Sequence, residues 1–144
     1  QQTRDPRPVN RSVLWDASAV VAALDFDDAD HAAAVAAARR IAAEKRPSFI
    51  TNYAAAEAHA LLLRELGRAL AHEWLLSGRL SVVRATPADE ERARTILVQH
   101  QDKDWSLCDA ISFAVMDSRR VTTAFSFDRH FAQYGKVDVP GLQT

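Results

Sequence analysis

Four acidic residues could do chemistry together, because each lies near a junction between a predicted strand and a predicted helix. They are Asp16, Glu57, Asp109 and Asp128. Carboxylates gathered in one cleft repel each other and raise each other's pKa unless a cation is present. Carboxylate oxygens suit Mg²⁺ or Mn²⁺, and one or two such ions can activate water against a phosphodiester. If the fold brings these acids together, they predict metal-dependent phosphodiester cleavage.

The segment 106–131 places the last two of these acids. Ser106 and Asp109 have the spacing of a capping box at the start of an apolar helix. Residues 121–125 form a short β-branched run that predicts a strand, and Asp128 follows at the start of a turn or helix. Ligands of open parallel sheets bind beyond the carboxyl ends of the strands, where Asp128 is expected.

Strands and helices alternate along the rest of the chain. The predicted strands are residues 12–16, 48–51, 80–83 and 121–125, with 137–139 as a short edge strand. The predicted helices are residues 19–24 with Ser18 as cap, about 30–45, 53–66 with Asn52 as cap, 68–76 and 87–100. This alternation predicts an α/β fold with a parallel sheet covered on both faces.

Length and composition indicate one globular domain, which we assign to residues 12–144, preceded by a disordered extension or non-native remnant in residues 1–11. A net charge of −1 gives no overall basic field. The single cysteine excludes an intramolecular disulfide framework and a Cys-rich zinc site. The first residues lack the apolar core of a signal peptide, and no apolar run is long enough to span a bilayer. We therefore expect a cytoplasmic protein without a membrane partner.

Each acid also has a purely structural interpretation. Asp109 could be only half of a capping box, Asp128 only an N-cap, and Glu57 a solvated helix residue. Asp16 is harder to explain in this way, since an acid that ends an apolar strand contributes little to stability. The function therefore rests on the set rather than on any one acid.

At this point the chain resembles the PIN-domain ribonucleases and, among them, the VapC-type toxins of bacterial toxin–antitoxin pairs. The resemblance lies in LWDASAVVAAL, TNYAAAEAHALLLRELG, WSLCDAISFAV and AFSFDRHF, which surround the four acids. It implies a three-layer α/β/α sandwich with a mostly parallel central sheet and an endoribonuclease site that depends on Mg²⁺ or Mn²⁺. The acidic quartet of the family corresponds to the four acids named above, and its small polar residues correspond to Ser18, Asn52 and Ser126.

In this interpretation Asp16 and Asp109 hold the first ion most directly. Glu57 and Asp128 complete its shell through water or help to bind a second ion. The candidates for contacts with RNA phosphates are Arg64, Arg68, Arg119, Arg120 and Arg129. The resemblance also implies an antitoxin that covers the cleft and a homodimer formed through a helical face.

Three other functions remain open from the sequence. A PIN-like ribonuclease could serve general RNA processing instead of a toxin system. A receiver or haloacid-type phosphatase would also use an acid at a strand end, but the phosphatase pattern needs a second Asp where Ser18 stands. A non-catalytic docking scaffold would fit the near-zero net charge and the apolar candidates Trp74, Leu75 and Leu76, although a complete acid quartet favours catalysis.

Overall fold

The computed structural model describes residues 10–140, in which five strands and seven helices alternate. The strands are β1 (Asn10–Trp15), β2 (Ser48–Thr51), β3 (Ser81–Val83), β4 (Val121–Phe125) and β5 (Val137–Asp138). The helices are α1 (Ala17–Leu24), α2 (His31–Ala43), α3 (Asn52–Leu66), α4 (Arg68–Ser77), α5 (Pro87–Gln99), α6 (Leu107–Arg119) and α7 (His130–Gln133). The predicted bounds of β2 and β4 match the structure, while β1 begins at Asn10 and β3 at Ser81.

All strand pairs of the sheet are parallel, and the strand order is β3-β2-β1-β4-β5. The chain moves outward from β1 in one direction through β2 and β3, and in the other direction through β4 and β5. The direction in which successive strands are added to the sheet therefore reverses between β1 and β4. The crevice at such a switch point, beyond the carboxyl ends of the strands, is where open α/β sheets bind ligands.

Neighbouring residues of β1 show that both faces of this sheet are covered. Val13 packs with α1 and α2, whereas Leu14 packs with α5 and α6 on the opposite face. In β2, Ile50 likewise packs against α3 and α4, and Phe49 joins the cluster of α5 and α6. The prediction of a three-layer α/β/α sandwich is confirmed, and its sheet is parallel throughout the described residues.

Two predicted helix caps are wrong by one or two residues. Asp16, and not Ser18, is the N-cap of α1, and its carboxylate accepts a hydrogen bond from the Ser18 backbone N–H. Thr51, and not Asn52, is the N-cap of α3, where its hydroxyl accepts from the Ala54 N–H at 3.0 Å. β1 ends at Trp15, directly before the cap Asp16, whereas Thr51 is both the last residue of β2 and the cap of α3. The capping box of Ser106 and Asp109 is present as predicted.

The amino-terminal boundary also differs from the prediction. Asn10 and Arg11 belong to β1, and the Asn10 backbone N–H donates to the Arg120 carbonyl at 3.4 Å. The predicted extension therefore includes two strand residues, and its residues 1–9 lie outside the described part of the chain. Between residues 10 and 140, no helix has both the length and the apolar character needed to cross a membrane.

Candidate active site

Asp16 lies at the bottom of the crevice between β1 and β4. Only 4% of the residue is exposed, and its backbone N–H donates to the Phe125 carbonyl at 3.0 Å. Its Oδ2 atom accepts from the Ser18 hydroxyl at 2.7 Å and from the Ser126 hydroxyl at 3.3 Å. Burial and the nearby charge of Asp128 raise the pKa of Asp16, while the hydrogen bonds from Ser18 oppose this shift. The acid is thus held by neutral donors rather than by a basic partner.

Asp128 faces Asp16 from the loop after β4. The Asp128 backbone N–H donates to the Ser126 hydroxyl at 3.1 Å, which fixes the loop directly beyond the strand. Its Oδ1 atom accepts from the His130 backbone N–H at 2.9 Å. Ser18 holds the same loop from the other side, because its hydroxyl accepts from the Phe127 backbone N–H at 3.1 Å. Ser18 and Ser126 therefore connect the loop that carries Asp128 to the side chain of Asp16.

Asp109 enters the crevice from the first turn of α6. Within the capping box, its Oδ2 atom accepts from the Ser106 backbone N–H at 3.0 Å. The same oxygen lies 2.8 Å from Nδ1 of His130. Only 8% of Asp109 is exposed. Its structural interpretation as a capping residue is correct, and the same geometry also places it beside Asp128.

Glu57 completes the group from the second turn of α3. The residue is exposed, yet its pKa is raised, first by desolvation and then by the charges of Asp16, Asp109 and Asp128. Each of these repulsions requires that the carboxylates lie near one another. The structure thus brings all four predicted acids to one cleft.

The donor set of this cleft fits a hard divalent cation. Carboxylate oxygens of Asp109 and Asp128 lie within 4.8 Å of each other, and a ring nitrogen of His130 lies within the same distance of both. Opposite ligands of an octahedral ion at about 2.1 Å are separated by about 4.2 Å, so small side-chain movements would close such a shell. Desolvation first, and then repulsion from the neighbouring acids, raises the pKa values of Asp16 and Glu57, and a bound cation would relieve that repulsion.

Comparison with known proteins identifies the fold that carries this cleft. The PIN domain model matches residues 13–137. This chain belongs to the PIN domain family. The resemblance inferred from the sequence motifs is therefore confirmed, and the receiver and phosphatase alternatives are set aside.

The PIN domain has relatives in Mycobacterium tuberculosis. It is 36% identical over 106 residues to proteins named 23S rRNA-specific endonuclease VapC20 from strains CDC 1551 / Oshkosh and H37Rv, covering 71% of this chain and 81% of each relative. Its structure resembles the crystal structure of Mycobacterium tuberculosis VapC20, titled a Sarcin-Ricin loop cleaving toxin. That match has a TM-score of 0.76 and 32% identity, and it covers 88% of this chain and 97% of the other.

Asn52 of the PIN domain lies at the edge of the cleft, where its side chain holds a neighbouring segment in place. Its Oδ1 atom accepts from the Ala85 backbone N–H at 3.0 Å and so fixes the segment that follows β3. Its side chain is directed to this segment, in contrast to Ser18 and Ser126, which bind the Asp16 carboxylate directly.

The predicted arginines divide between two places in the PIN domain. Arg129 is exposed beside Asp128, and Arg64 lines a cavity of about 360 Å³ together with Ser18 and Phe127. Arg68 is exposed at the start of α4.

Arg119 and Arg120 lie elsewhere. They occupy the carboxyl end of α6, and the Arg119 carbonyl accepts from the Asn10 side chain at the beginning of β1. Ten residues of helix, or about 15 Å, separate Asp109 from Arg119. Their assignment as phosphate contacts stays a prediction, and any such contact would lie away from the four acids.

Three residues near the acids had no predicted role. His130 contacts Asp109, and the Cys108 thiol donates a hydrogen bond to Glu57. Burial raises the pKa of Cys108 far above its ordinary value, and the charge of Glu57 adds to that effect. The third residue, Asp138 on β5, accepts from the Ser126 backbone N–H, and its buried Oδ1 atom has no hydrogen-bond partner. A sequence signal existed only for His130, which stands two residues after an acid in the position of an Asx turn.

Proposed function

We propose that this PIN domain is a metal-dependent endoribonuclease and the toxin of a type II toxin–antitoxin pair. The observation that carries the proposal is the convergence of four carboxylates, from β1, α3, α6 and the loop after β4, on the switch point of the sheet. The named activity of the VapC20 relatives supports the same reaction. Their description as toxins favours a toxin over a general RNA-processing enzyme.

In the proposed mechanism Asp16 and Asp109 would hold Mg²⁺ or Mn²⁺ directly, and Glu57 and Asp128 would bind it through water or help to hold a second ion. A divalent ion held by these residues would supply Lewis-acid chemistry for hydrolysis, in which water adds to phosphorus and the bond from phosphorus to the departing ribose oxygen breaks. Ser18 and Ser126 keep the Asp16 carboxylate in place by donating to Oδ2. The buried position of Asp16 keeps bulk water away from the charge, which strengthens its hold on a cation.

The RNA backbone would approach along the positive side chains near the cleft. Arg129 beside Asp128, Arg64 at the neighbouring cavity and Arg68 at the start of α4 are the proposed phosphate contacts. Because Arg64 is also paired with Glu65 at 3.0 Å, phosphate binding would exchange one anionic partner for another. By analogy with the relatives, we propose a ribosomal RNA loop as the substrate.

A cognate antitoxin is the proposed protein partner, and it would inhibit by covering the acidic cleft. We also propose a homodimer, since α3 and α4 expose the large apolar side chains Leu63, Leu75 and Leu76. Light scattering of the purified protein tests the dimer, and a Leu76→Glu variant should shift it to the monomer if this face forms the interface. As an RNA-cleaving toxin, the protein would act in the cytoplasm.

Cleavage of a 23S rRNA fragment that contains the Sarcin-Ricin loop tests the function directly. With Mn²⁺ present, the wild type should cut at a defined position, and Asp16→Asn should lose the activity while its circular dichroism spectrum stays unchanged. Asp104→Asn, which changes an exposed acid that is not one of the four, serves as the matched control. Undiminished cleavage by Asp16→Asn would end the proposal. If the wild type cleaves only other RNAs, the assignment as an endoribonuclease stands, but the proposed ribosomal RNA substrate is wrong.

A further inference from the structure

His130 is the one basic side chain that touches the acids of the cleft in the described residues. Its Nδ1 atom lies 2.8 Å from Oδ2 of Asp109 and 3.7 Å from Oδ1 of Asp128. Its backbone N–H donates to that same Oδ1 atom of Asp128 at 2.9 Å. One residue therefore contacts both acids, Asp109 through its side chain and Asp128 through its main chain.

The direction of the His130 hydrogen bond follows from the chemistry of its partner. An ionised carboxylate only accepts hydrogen bonds, so Nδ1 must carry the proton. Oδ2 of Asp109 already accepts from the Ser106 backbone N–H at 3.0 Å, and His130 is thus its second donor. Both donors act on the same oxygen, which leaves Oδ1 as the atom with free lone pairs for a cation.

We propose that His130 is a positioning residue for the metal site, and this inference rests on the proposed function. By donating to Oδ2, the Nδ1–H group fixes the rotation of the Asp109 carboxylate and reserves Oδ1 for the ion. Because His130 begins α7 and Asp109 lies in α6, the bond also sets the distance between Asp109 and Asp128. Hydrogen bonds to the ligands of a metal are a general means of fixing its coordination geometry.

Two substitutions at His130 test whether the Nδ1–H donor, and not the imidazole ring as a whole, supports the metal site. His130→Ala removes the donor, whereas His130→Asn places an amide N–H group close to the position of Nδ1. His100→Ala is a matched control, because His100 also uses Nδ1 in a 2.8 Å hydrogen bond, but to the Ile96 carbonyl at the end of α5. Thermal unfolding of all variants shows which of them fold.

Mn²⁺ alone is the probe, and its binding is followed by calorimetry and by the electron paramagnetic resonance of the free ion. We expect His130→Ala to weaken Mn²⁺ binding by about 10- to 100-fold, the usual effect of losing a group that supports a metal ligand. His130→Asn should restore affinity to within a few-fold, and His100→Ala should bind Mn²⁺ like the wild type. An unchanged affinity in His130→Ala, or a loss that His130→Asn does not restore, would overturn the inference.

A second readout distinguishes positioning from direct coordination. Pulsed electron paramagnetic resonance of the Mn²⁺-loaded wild type should show no directly coordinated ¹⁴N, and the appearance of such a coupling that disappears in His130→Ala would make His130 a ligand instead. If the wild type binds no Mn²⁺ at all, the proposed metal site fails together with this inference. If the wild type binds Mn²⁺ and His130→Ala binds it equally well, only this inference fails.

Discussion

Acidic residues have opposite surroundings at the amino edge of the parallel sheet, where the strands begin, and at its carboxyl edge, where they end. At the amino edge, Asp117 accepts from the Lys136 ammonium at 2.7 Å and from the Tyr134 hydroxyl at 2.6 Å, so its charge is balanced. At the carboxyl edge, Asp16 is held by serine hydroxyls and repelled by Asp128. Charges that are paired stabilise a fold, whereas like charges kept together without counterions destabilise it. The difference supports the proposal that the carboxyl edge gives up stability in return for binding a cation.

The largest expected effect of this difference is on catalysis. Asp109→Asn should reduce RNA cleavage by at least about a thousand-fold, because it removes a charge that would hold the proposed activating ion. Asp117→Asn at the opposite end of α6 should leave cleavage within a few-fold of the wild type. Single-turnover rates with excess enzyme measure both. Equal losses in the two variants would show that the effect is a general one on folding.

The next effect concerns the response of the fold to metal. An ion at about a hundred times its dissociation constant should stabilise the wild type by about 2.7 kcal/mol, which corresponds to a rise of roughly 5–10 °C in Tm for a domain of this size. Differential scanning calorimetry with and without Mn²⁺ measures the shift. Asp117→Asn should show the full shift and Asp109→Asn little of it. A Tm of the wild type that does not change with Mn²⁺ would contradict strong binding at the cleft.

At the amino edge the expected effect is on stability alone. Asp117→Asn should lower the free energy of unfolding by about 1–2 kcal/mol, since the nearly buried Lys136 ammonium loses its ionic partner. Urea unfolding measures this loss. The exposed pair of Asp102 and Lys103 is the control, and Asp102→Asn should change stability little because solvent screens that pair.

The smallest effect is that of Asp138, the additional acid at the carboxyl edge. Burial first, and then the charge of Asp128, raises its pKa to about 6 from an ordinary value of 3.8. A carboxyl whose pKa is raised on folding binds protons more tightly in the native state, so it lowers stability above pH 6 and not below pH 3.8.

Asp138→Asn should therefore stabilise the metal-free protein at pH 7.5 by about 1 kcal/mol after allowance for solvent screening, and by progressively less toward pH 4. The amide oxygen still accepts from the Ser126 N–H, so the loop is kept. Urea unfolding at several pH values measures the trend, with Asp104→Asn as the exposed control. A gain in the free energy of unfolding that does not depend on pH would indicate a cause other than the charge of Asp138.

Local signals account for the parts of the fold that the sequence predicted well. The capping box of Ser106 and Asp109 and the β-branched run of β4 are encoded in a few adjacent residues, and both appear as expected. The N-cap of α1 was missed because Asp16 and Ser18 are equally suitable cap residues. The choice depends on the hydrogen bond between the Asp16 N–H and the Phe125 carbonyl, which is a long-range contact.

Long-range contacts also explain what was missed at the cleft. His130 contacts Asp109 across 21 residues of sequence, and a search for local histidine motifs does not detect such a pair. Asp138 reaches the site only because β5 pairs with β4. The direction of α6 is also a tertiary feature, and it places Arg119 and Arg120 at the other edge from the four acids. The four acids were found because each follows a strand or lies in the first two turns of a helix at the same edge.

The hydrogen bond from the Asp16 amide to the Phe125 carbonyl has a consequence for heat inactivation. It extends the pairing of β1 and β4 to Asp16, which carries the proposed catalytic charge. Loosening that residue would require the middle of the sheet to separate, and hydrogen exchange at this amide should therefore be as slow as the slowest in the protein. Enzymatic activity should persist on warming until the whole domain melts, without an earlier local failure.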